Sequence, residues 1–205
     1  MLSLDPYLLL LLTACLYILV FGALSLLRRE GLSVQFALEA IGLTVLLVGG
    51  SWLIGVLLNP VLFVVILYLV TMRSRLIVDV ANMWARQGQY GLAFKLYRLG
   101  LAWWPDVSSR LIVLMNRGAA ELHKGEVETA IQTLEGVLST ERRSRLGLKY
   151  EAACCYNLGY AYERKGDEAR SIARYHEAIE LLPGSIYARA AQAALKRRQR
   201  RKSGD

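Results

Sequence analysis

The feature that most constrains this 205-residue chain is a spaced pattern of small, aromatic and apolar residues that recurs three times between Ser74 and Pro183. Its clearest copy reads Tyr156-Asn157-Leu158-Gly159-Tyr160-Ala161-Tyr162, then Lys165-Gly166-Asp167, then Ser171, Tyr175, Ala178 and Pro183. An earlier copy holds Val80-Ala81, Trp84, Gly88, Tyr90, Ala93, Tyr97, Gly100 and Pro105, and a middle one Arg117-Gly118, Gly125, Val127, Ala130, Leu134 and Val137. Gly88, Gly125 and Gly166 occupy equivalent places, 37 and 41 residues apart. Repeats of this length are single supersecondary units that bury their apolar faces against one another. Small residues at a helix crossing let the backbones approach, and large ones fill the space beside them. Gly118 and Gly159 therefore mark the crossing in the first helix of a pair, and Ala93, Ala130 and Ser171 mark it in the second. Pro105 and Pro183 stop the second helices. The middle copy departs twice, with Arg142 at the proline's place and Glu121 at the aromatic's.

Each copy resembles a tetratricopeptide (TPR) repeat, two antiparallel helices with a period of about 34 residues. The resemblance implies an α-solenoid of three helix pairs, at about 74–107, 111–144 and 152–185, with the extra residues placed between repeats. It also implies a concave, partner-binding groove lined by the first helices, with Asn82, Arg86, Met115, Asn116, His123, Tyr156, Asn157, Tyr160 and Arg164 on its surface. In TPR proteins that clamp a terminal carboxylate, asparagines act with several basic residues. Asn82, Asn116 and Asn157 stand at clamp-like positions, but Val78 and Ala153 replace lysines and Asn157 replaces an arginine. A mixed aromatic and polar groove for a helix or an extended segment fits these residues better.

Ahead of the repeats, Tyr7 to Leu27 carries no charge over 21 residues, enough to cross a hydrocarbon core of about 30 Å at 1.5 Å per residue. Arg28-Arg29-Glu30-Gly31 ends this segment, with Gly31 as a helix stop. Phe36 to Met72 is apolar again apart from Glu39 and Asn59-Pro60. As one helix it would be about 55 Å long, so a turn is required, and Asn59-Pro60 supplies it. The expected result is a helical hairpin, 36–58 out and 60–72 back. The return arm is short: either the helix continues past Arg73 and Arg75, whose side chains snorkel to the headgroups, or the hairpin does not fully cross. Leu76 to Gln87 is expected to continue the third apolar segment as one stiff rod. Glu39, one turn into its segment, is expected to reach water. Gly42, Gly49, Gly50, Ser51 and Gly55 suggest close packing of the second helix on another helix, inside this chain or in a neighbour.

The charge is uneven. The chain carries +8 at neutral pH, yet residues 1–72 hold only Arg28 and Arg29 against Asp5, Glu30 and Glu39, so the basicity belongs to the second part. Positive charge on one side of the spans predicts an outside amino terminus with the repeats and carboxyl terminus cytoplasmic, as in a bacterial inner membrane or its equivalent. After Pro183 a final helix is expected to cap the stack, with Ile186, Ala190, Ala193 and Ala194 facing in and Arg189, Lys196 and Arg197 out. Its tail, Lys196, Arg197, Arg198, Arg200, Arg201 and Lys202, is either a solvated helix end or an attraction for anionic lipid or nucleic acid.

Catalytic chemistry finds little to work with. His123 and His176 lie in different repeats, no phosphate loop or dinucleotide fingerprint occurs, and no metal or cofactor set can be assembled. Gly49-Gly50-Ser51-Trp52 resembles a rhomboid-protease serine motif but lacks its last glycine, and no apolar segment supplies a histidine base. Cys154 and Cys155 are adjacent on one helix and read as reduced packing residues. Leu12-Thr13-Ala14-Cys15 resembles a lipobox, yet the apolar run continues to Leu27 and no basic residue precedes it. Trp103-Trp104 reads as an interfacial anchor or a partner contact.

The expectation is thus an all-α protein. It has a membrane domain (1–72; one span plus a helical hairpin), three TPR-like helix pairs (73–183), and a basic capping helix with its tail (184–205). A non-enzymatic membrane-anchored adaptor without cofactor or metal, scaffolding a membrane complex through a protein partner and touching the lipid bilayer, is the first reading. An accessory subunit of a respiratory, photosynthetic or transport complex, held by its apolar helices, is the second. A ribosome or nucleic-acid tether is the third. Sequence does not name the partner or the oligomeric state.

Overall fold

The computed structural model describes residues 5–30, 33–139 and 145–203, without the side chains of 202 and 203. Gly31, Arg142 and the side chain of Lys202 lie outside the described residues. The described elements are all helices: α1 (Pro6–Leu27), α2 (Val34–Ile54), α3 (Pro60–Thr71), α4 (Arg73–Arg86), α5 (Tyr90–Ala102), α6 (Val107–Lys124), α7 (Val127–Leu138), α8 (Leu148–Lys165), α9 (Glu168–Leu181) and α10 (Ile186–Ser203).

The three repeats close the same way. Gly88, Gly125 and Gly166 adopt φ of 76°, 100° and 84°, the left-handed region where a Cβ is penalised. In each case the next residue's N–H returns to a carbonyl five residues back. Gln89 donates to Trp84 at 3.0 Å, Glu126 to Glu121 at 2.9 Å and Asp167 to Tyr162 at 2.9 Å. The helix pairs α4/α5, α6/α7 and α8/α9 follow from this turn, and the fold of residues 73–181 is TPR-like. At the crossings a Cβ on Gly118 would come within 2.8 Å of Leu134, and one on Gly159 within 2.6 Å of the Tyr175 ring. Ala81 and Tyr97 hold the equivalent positions in the first pair, and Ala93, Ala130 and Ser171 are fully buried in the second helices. Glu121, at the aromatic's place in the middle repeat, is buried but satisfied. It accepts from Arg117 Nε and from Thr133 Oγ1, both at 2.8 Å. Cys154 and Cys155 form no disulfide and are buried in the common core, where burial pushes the Cys154 thiol well up.

Helices α1 to α3 form a separate small cluster around Leu10, Ala14, Tyr17, Val48, Phe63 and Leu67. The rest of their surface is apolar and bare, with Leu19 69%, Leu27 80% and Leu53 77% exposed. A helix apolar all round belongs in a large core or in a bilayer. α1 and α2 are long and apolar enough to cross a membrane; at 1.5 Å per residue α3 rises only about 18 Å.

Several sequence expectations are corrected. α2 stops at Gly55, which caps it at φ 72°, so the helix does not reach Leu58; α3 begins at Pro60 with Asn59 Oδ1 accepting from Val61 N at 2.8 Å, as proline and asparagine dictate. No stiff rod joins α3 to α4, since the chain bends by 71° between them. The bend separates an all-round apolar helix from one that buries a single face through Ser74, Val78 and Ala81. Within the chain the contact face of α2 is Ala40, Thr44 and Val48, so the glycines do not pack on the other described helices: Cβ atoms on Gly42, Gly49, Gly50 and Gly55 would meet nothing within 4 Å. Ser51 turns its hydroxyl back onto the Val56 carbonyl. In the capping helix Ala188, Ala191 and Ala194 are the buried residues, with Ala193 exposed and Ile186 61% exposed, so the inward face is rotated from the expected one.

Replacing Gly159 with alanine is expected to lower stability by about 1–3 kcal/mol through overpacking against Tyr175. Gly136→Ala, in an open helical position, should gain about 0.5–1 kcal/mol. Thermal melts in detergent followed by circular dichroism read both, and an equal shift for the two would contradict the crossing geometry.

Candidate partner groove and its junction with the apolar helices

The concave side is formed by α4, α6 and α8, which pack side by side. Two of its asparagines bind each other across repeats. Tyr97 Oη donates to Asn82 Oδ1 at 2.6 Å, Asn82 Nδ2 to Asn116 Oδ1 at 3.0 Å, and Asn116 Nδ2 to the Ile112 carbonyl at 2.8 Å. Each amide keeps one N–H beyond these bonds, so the pair acts first as a staple between the inner helices. Burial carries the Tyr97 hydroxyl up to about 12, which keeps it a donor across the working pH range. Met115 is buried in the core and the Tyr156 ring packs at a tilt against those of Tyr175 and Tyr187, at 5.9 and 6.2 Å between ring centres. Those two expected groove residues therefore serve packing. The exposed groove residues are Arg86, His123 and Arg164, with Asn157 and Tyr160 half-buried; Arg164 also donates to the Leu122 carbonyl at 3.4 Å.

The near end of the groove meets the chain's own apolar helices. Glu30, just past α1, is buried, and its carboxylate accepts from Arg75 Nη2 of α4 at 2.5 Å. Gly147 makes room for this contact: at φ 82° it lies so close that a Cβ would be 2.9 Å from Glu30 Cγ and 3.0 Å from the Arg28 carbonyl. Arg28, Glu30, Arg75 and Asp79 all act electrostatically on the hydroxyl of Tyr150, which burial raises above its ordinary value. At the base of the bend Arg73 spends all five N–H groups. Nη1 and Nη2 take both oxygens of Glu39 at 2.5 and 2.9 Å, and the rest go to the carbonyls of Val70, Trp103 and Trp104. Trp104 holds a left-handed φ of 41°, and its carbonyl also accepts from Gln35 Nε2 at 2.8 Å. Arg73 and Arg75 therefore close on partners inside the chain instead of reaching headgroups, while Glu39 pairs with Arg73 and, with its side chain 28% exposed, keeps the expected access to water. Their long side chains and the complementary charges 34 and 45 residues away were invisible to local patterning.

Between these surfaces lies an open cavity of about 1030 Å³. One wall is the last turns of α1 and the start of α2; the other is the inner face of α4, α6 and α8, including Asn82, Arg86, Asn116 and Tyr150. His123, Asn157, Tyr160 and Arg164 lie outside it, farther along the groove. On the basic helix, Lys196, Arg197, Arg200 and Arg201 are exposed, but Arg198 folds back to Ser171 Oγ at 2.8 Å and Glu168 at 3.1 Å. Trp103 and Trp104 are both exposed. Among the described residues, no group of three His, Cys, Asp or Glu side chains is placed to hold a metal ion.

No family model matches the chain. Over 78 residues it is 35% identical to heat shock protein STI1 of Saccharomyces cerevisiae, a TPR-like helical protein; the match covers 38% of this chain and spans 13% of the yeast protein's length. The N-terminal domain of stress-induced protein-1 (STI-1) from C. elegans aligns over 60% of this chain and 95% of its own, with 15% identity and a TM-score of 0.48.

Glu30→Gln is expected to destabilise the chain by about 3 kcal/mol, because it leaves the Arg75 guanidinium without its counter-charge in a mostly buried place. The double change Glu30→Gln with Arg75→Met should recover much of that loss, and a melting series in detergent checks the cycle.

Proposed function

We propose that the protein is a membrane-anchored, non-enzymatic adaptor that presents its TPR-like groove to a protein partner at the bilayer surface. The observation that carries this reading is the junction of Glu30 with Arg75 and Glu39 with Arg73, which orients a recognition surface against helices suited to lipid. Protein recognition is supported by the TPR-like fold and the match to STI1. The far end of the groove, around His123, Asn157, Tyr160 and Arg164, is its accessible part and takes a helix or extended segment in the way grooves of facing helices do. Anchoring rests on the lengths and bare apolar surfaces of α1 and α2. In this reading the repeats lie on the cytoplasmic side and the amino terminus outside, a topology supported by the positive charge of Arg28 and Arg29 beside the repeats. The partner would then be held close to the membrane, as scaffolding of a membrane complex requires.

An integral accessory subunit is the second reading, favoured by the unfilled glycine positions on α2, which leave room for a helix of another protein. Exchanging residues 7–58 for an unrelated anchor separates the two, since an adaptor keeps its partner and an embedded subunit loses it. Neutralising Lys196, Arg197 and Arg201 while leaving Arg198 in place should not reduce partner recovery; a loss would move the site to the tail.

Tyr160→Ala with Arg164→Glu is expected to cut recovery of the partner crosslinked in intact membranes by at least about tenfold, the size of a lost hot spot. Protease added to the outer face of sealed vesicles should leave 73–205 intact. Digestion of that part, or undiminished recovery with the double variant, would overturn the assignment.

A further inference from the structure

The cavity at the near end of the groove has two chemically different walls. From the apolar helices come Ile18, Leu19, Phe21 and Leu24; from the repeats come the inner face of α4 along its length, from Arg73 to Arg86, and the amino-terminal halves of α6 and α8, whose dipoles favour negative charge. Its charged lining is largely self-satisfied: Arg73 is paired with Glu39, Arg75 with Glu30, and Asp106 caps α6 by accepting from Ser109 N at 2.8 Å. Arg28, Arg86 and Lys149 remain, all exposed and without an ion pair among the described residues, against the carboxylates of Asp79 and Asp106. Lys149 Nζ lies 5.8 Å over the Tyr150 ring, beside the Glu30–Arg75 pair. An occupant must therefore be apolar along one side and anionic at one end. At about 1030 Å³ the space is at the top of the range of about 300–1,000 Å³ usual for ligand sites.

We propose that this cavity binds an anionic phospholipid, with the phosphodiester held by Arg86, Lys149 and Arg28 and the acyl chains lying along Ile18, Leu19 and Leu24. A peptide is the poorer fit. An extended chain needs backbone partners along its length, and here Asn82 gives one amide N–H to Asn116 and Asn116 one to the Ile112 carbonyl, which leaves a single N–H on each. A lipid needs only cations at one end and apolar surface at the other, and Leu19 and Leu24 continue into the bare surface of α1. The site rests on the membrane reading of α1 and α2 but not on the far end of the partner groove, since His123, Asn157, Tyr160 and Arg164 lie outside the cavity and only Arg86 is common to both.

The test uses the full chain purified in mild detergent and offered phosphatidylglycerol or phosphatidylcholine of identical acyl chains, with bound lipid counted by native mass spectrometry. The expected result is one retained phosphatidylglycerol, preferred by about tenfold or more, a factor within reach of several cations near one phosphate. Arg86→Gln with Lys149→Gln should bring the preference to about twofold or less at an unchanged melting midpoint, whereas Arg189→Gln, on the exposed side of α10, should keep it. Equal retention of the two lipids, or an unchanged preference in the double variant, overturns the site. So does displacement of the lipid by millimolar glycerol 3-phosphate, which would mean that the phosphate alone is recognised. A photocrosslinker at Tyr150 that joins protein rather than lipid in native membranes overturns it as well. A chain that stays monodisperse after detergent removal would instead fail the membrane reading, while a detergent-dependent chain with no lipid preference fails this site alone.

Discussion

Two ion pairs tie the halves of this molecule together, and the position of the repeats relative to the apolar helices depends on them. Glu30 with Arg75 joins the end of α1 to the first inner helix, and Glu39 with Arg73 joins α2 to the bend between α3 and α4. A buried ion pair adds little net stability over a well-packed apolar contact, because desolvation offsets the attraction. Its value is geometric. Arg73 has a fixed fork of five donors and here meets a carboxylate and three carbonyls, so it accepts one arrangement of three chain segments and penalises others. The 71° turn at Met72 follows from that arrangement, since α4 can join the solenoid only by leaving the direction of α3.

The same junction divides the groove in function. Its near end is walled by the chain's own α1–α2 region, where position 147 is a glycine so that the Arg28 carbonyl and Glu30 can approach. Its far end stays open. The inner helices are locked to each other by the Tyr97–Asn82–Asn116 chain of hydrogen bonds, which costs the groove part of its donor capacity but holds its walls at a fixed separation. A preorganised surface loses less entropy when it binds, which is consistent with a recognition role and requires no catalytic group.

Much of the repeat architecture was legible from residues alone because its determinants are local. A left-handed glycine, an aromatic or Glu121 four residues before it, and a small residue opposite a large one are all set within about forty residues, and each has one physical reason. The apolar helices were equally legible as lengths and compositions. What failed at this level concerned faces and partners. Within the chain Ala40, Thr44 and Val48 make the contacts of α2 and its glycines face open space, since a small residue permits approach without compelling it. The inward face of α10 was misplaced because alanines on several sides of that helix give weak amphipathic contrast. Met115, Asn116 and Tyr156 were counted as open groove, and the neighbouring repeats and Tyr187 claim part of them.

Sequence by itself determined the number of helix pairs, the turns that close them, the two long apolar helices and the concentration of basic charge in the second part of the chain, because each of these depends on near neighbours in the chain. The tertiary structure alone decided that Arg73 and Arg75 turn inward, that the third and fourth helices part at an angle, and that a two-faced cavity opens between lipid-like and polar walls. Those outcomes require charges 34 and 45 residues apart to find each other, and no local period carries that information.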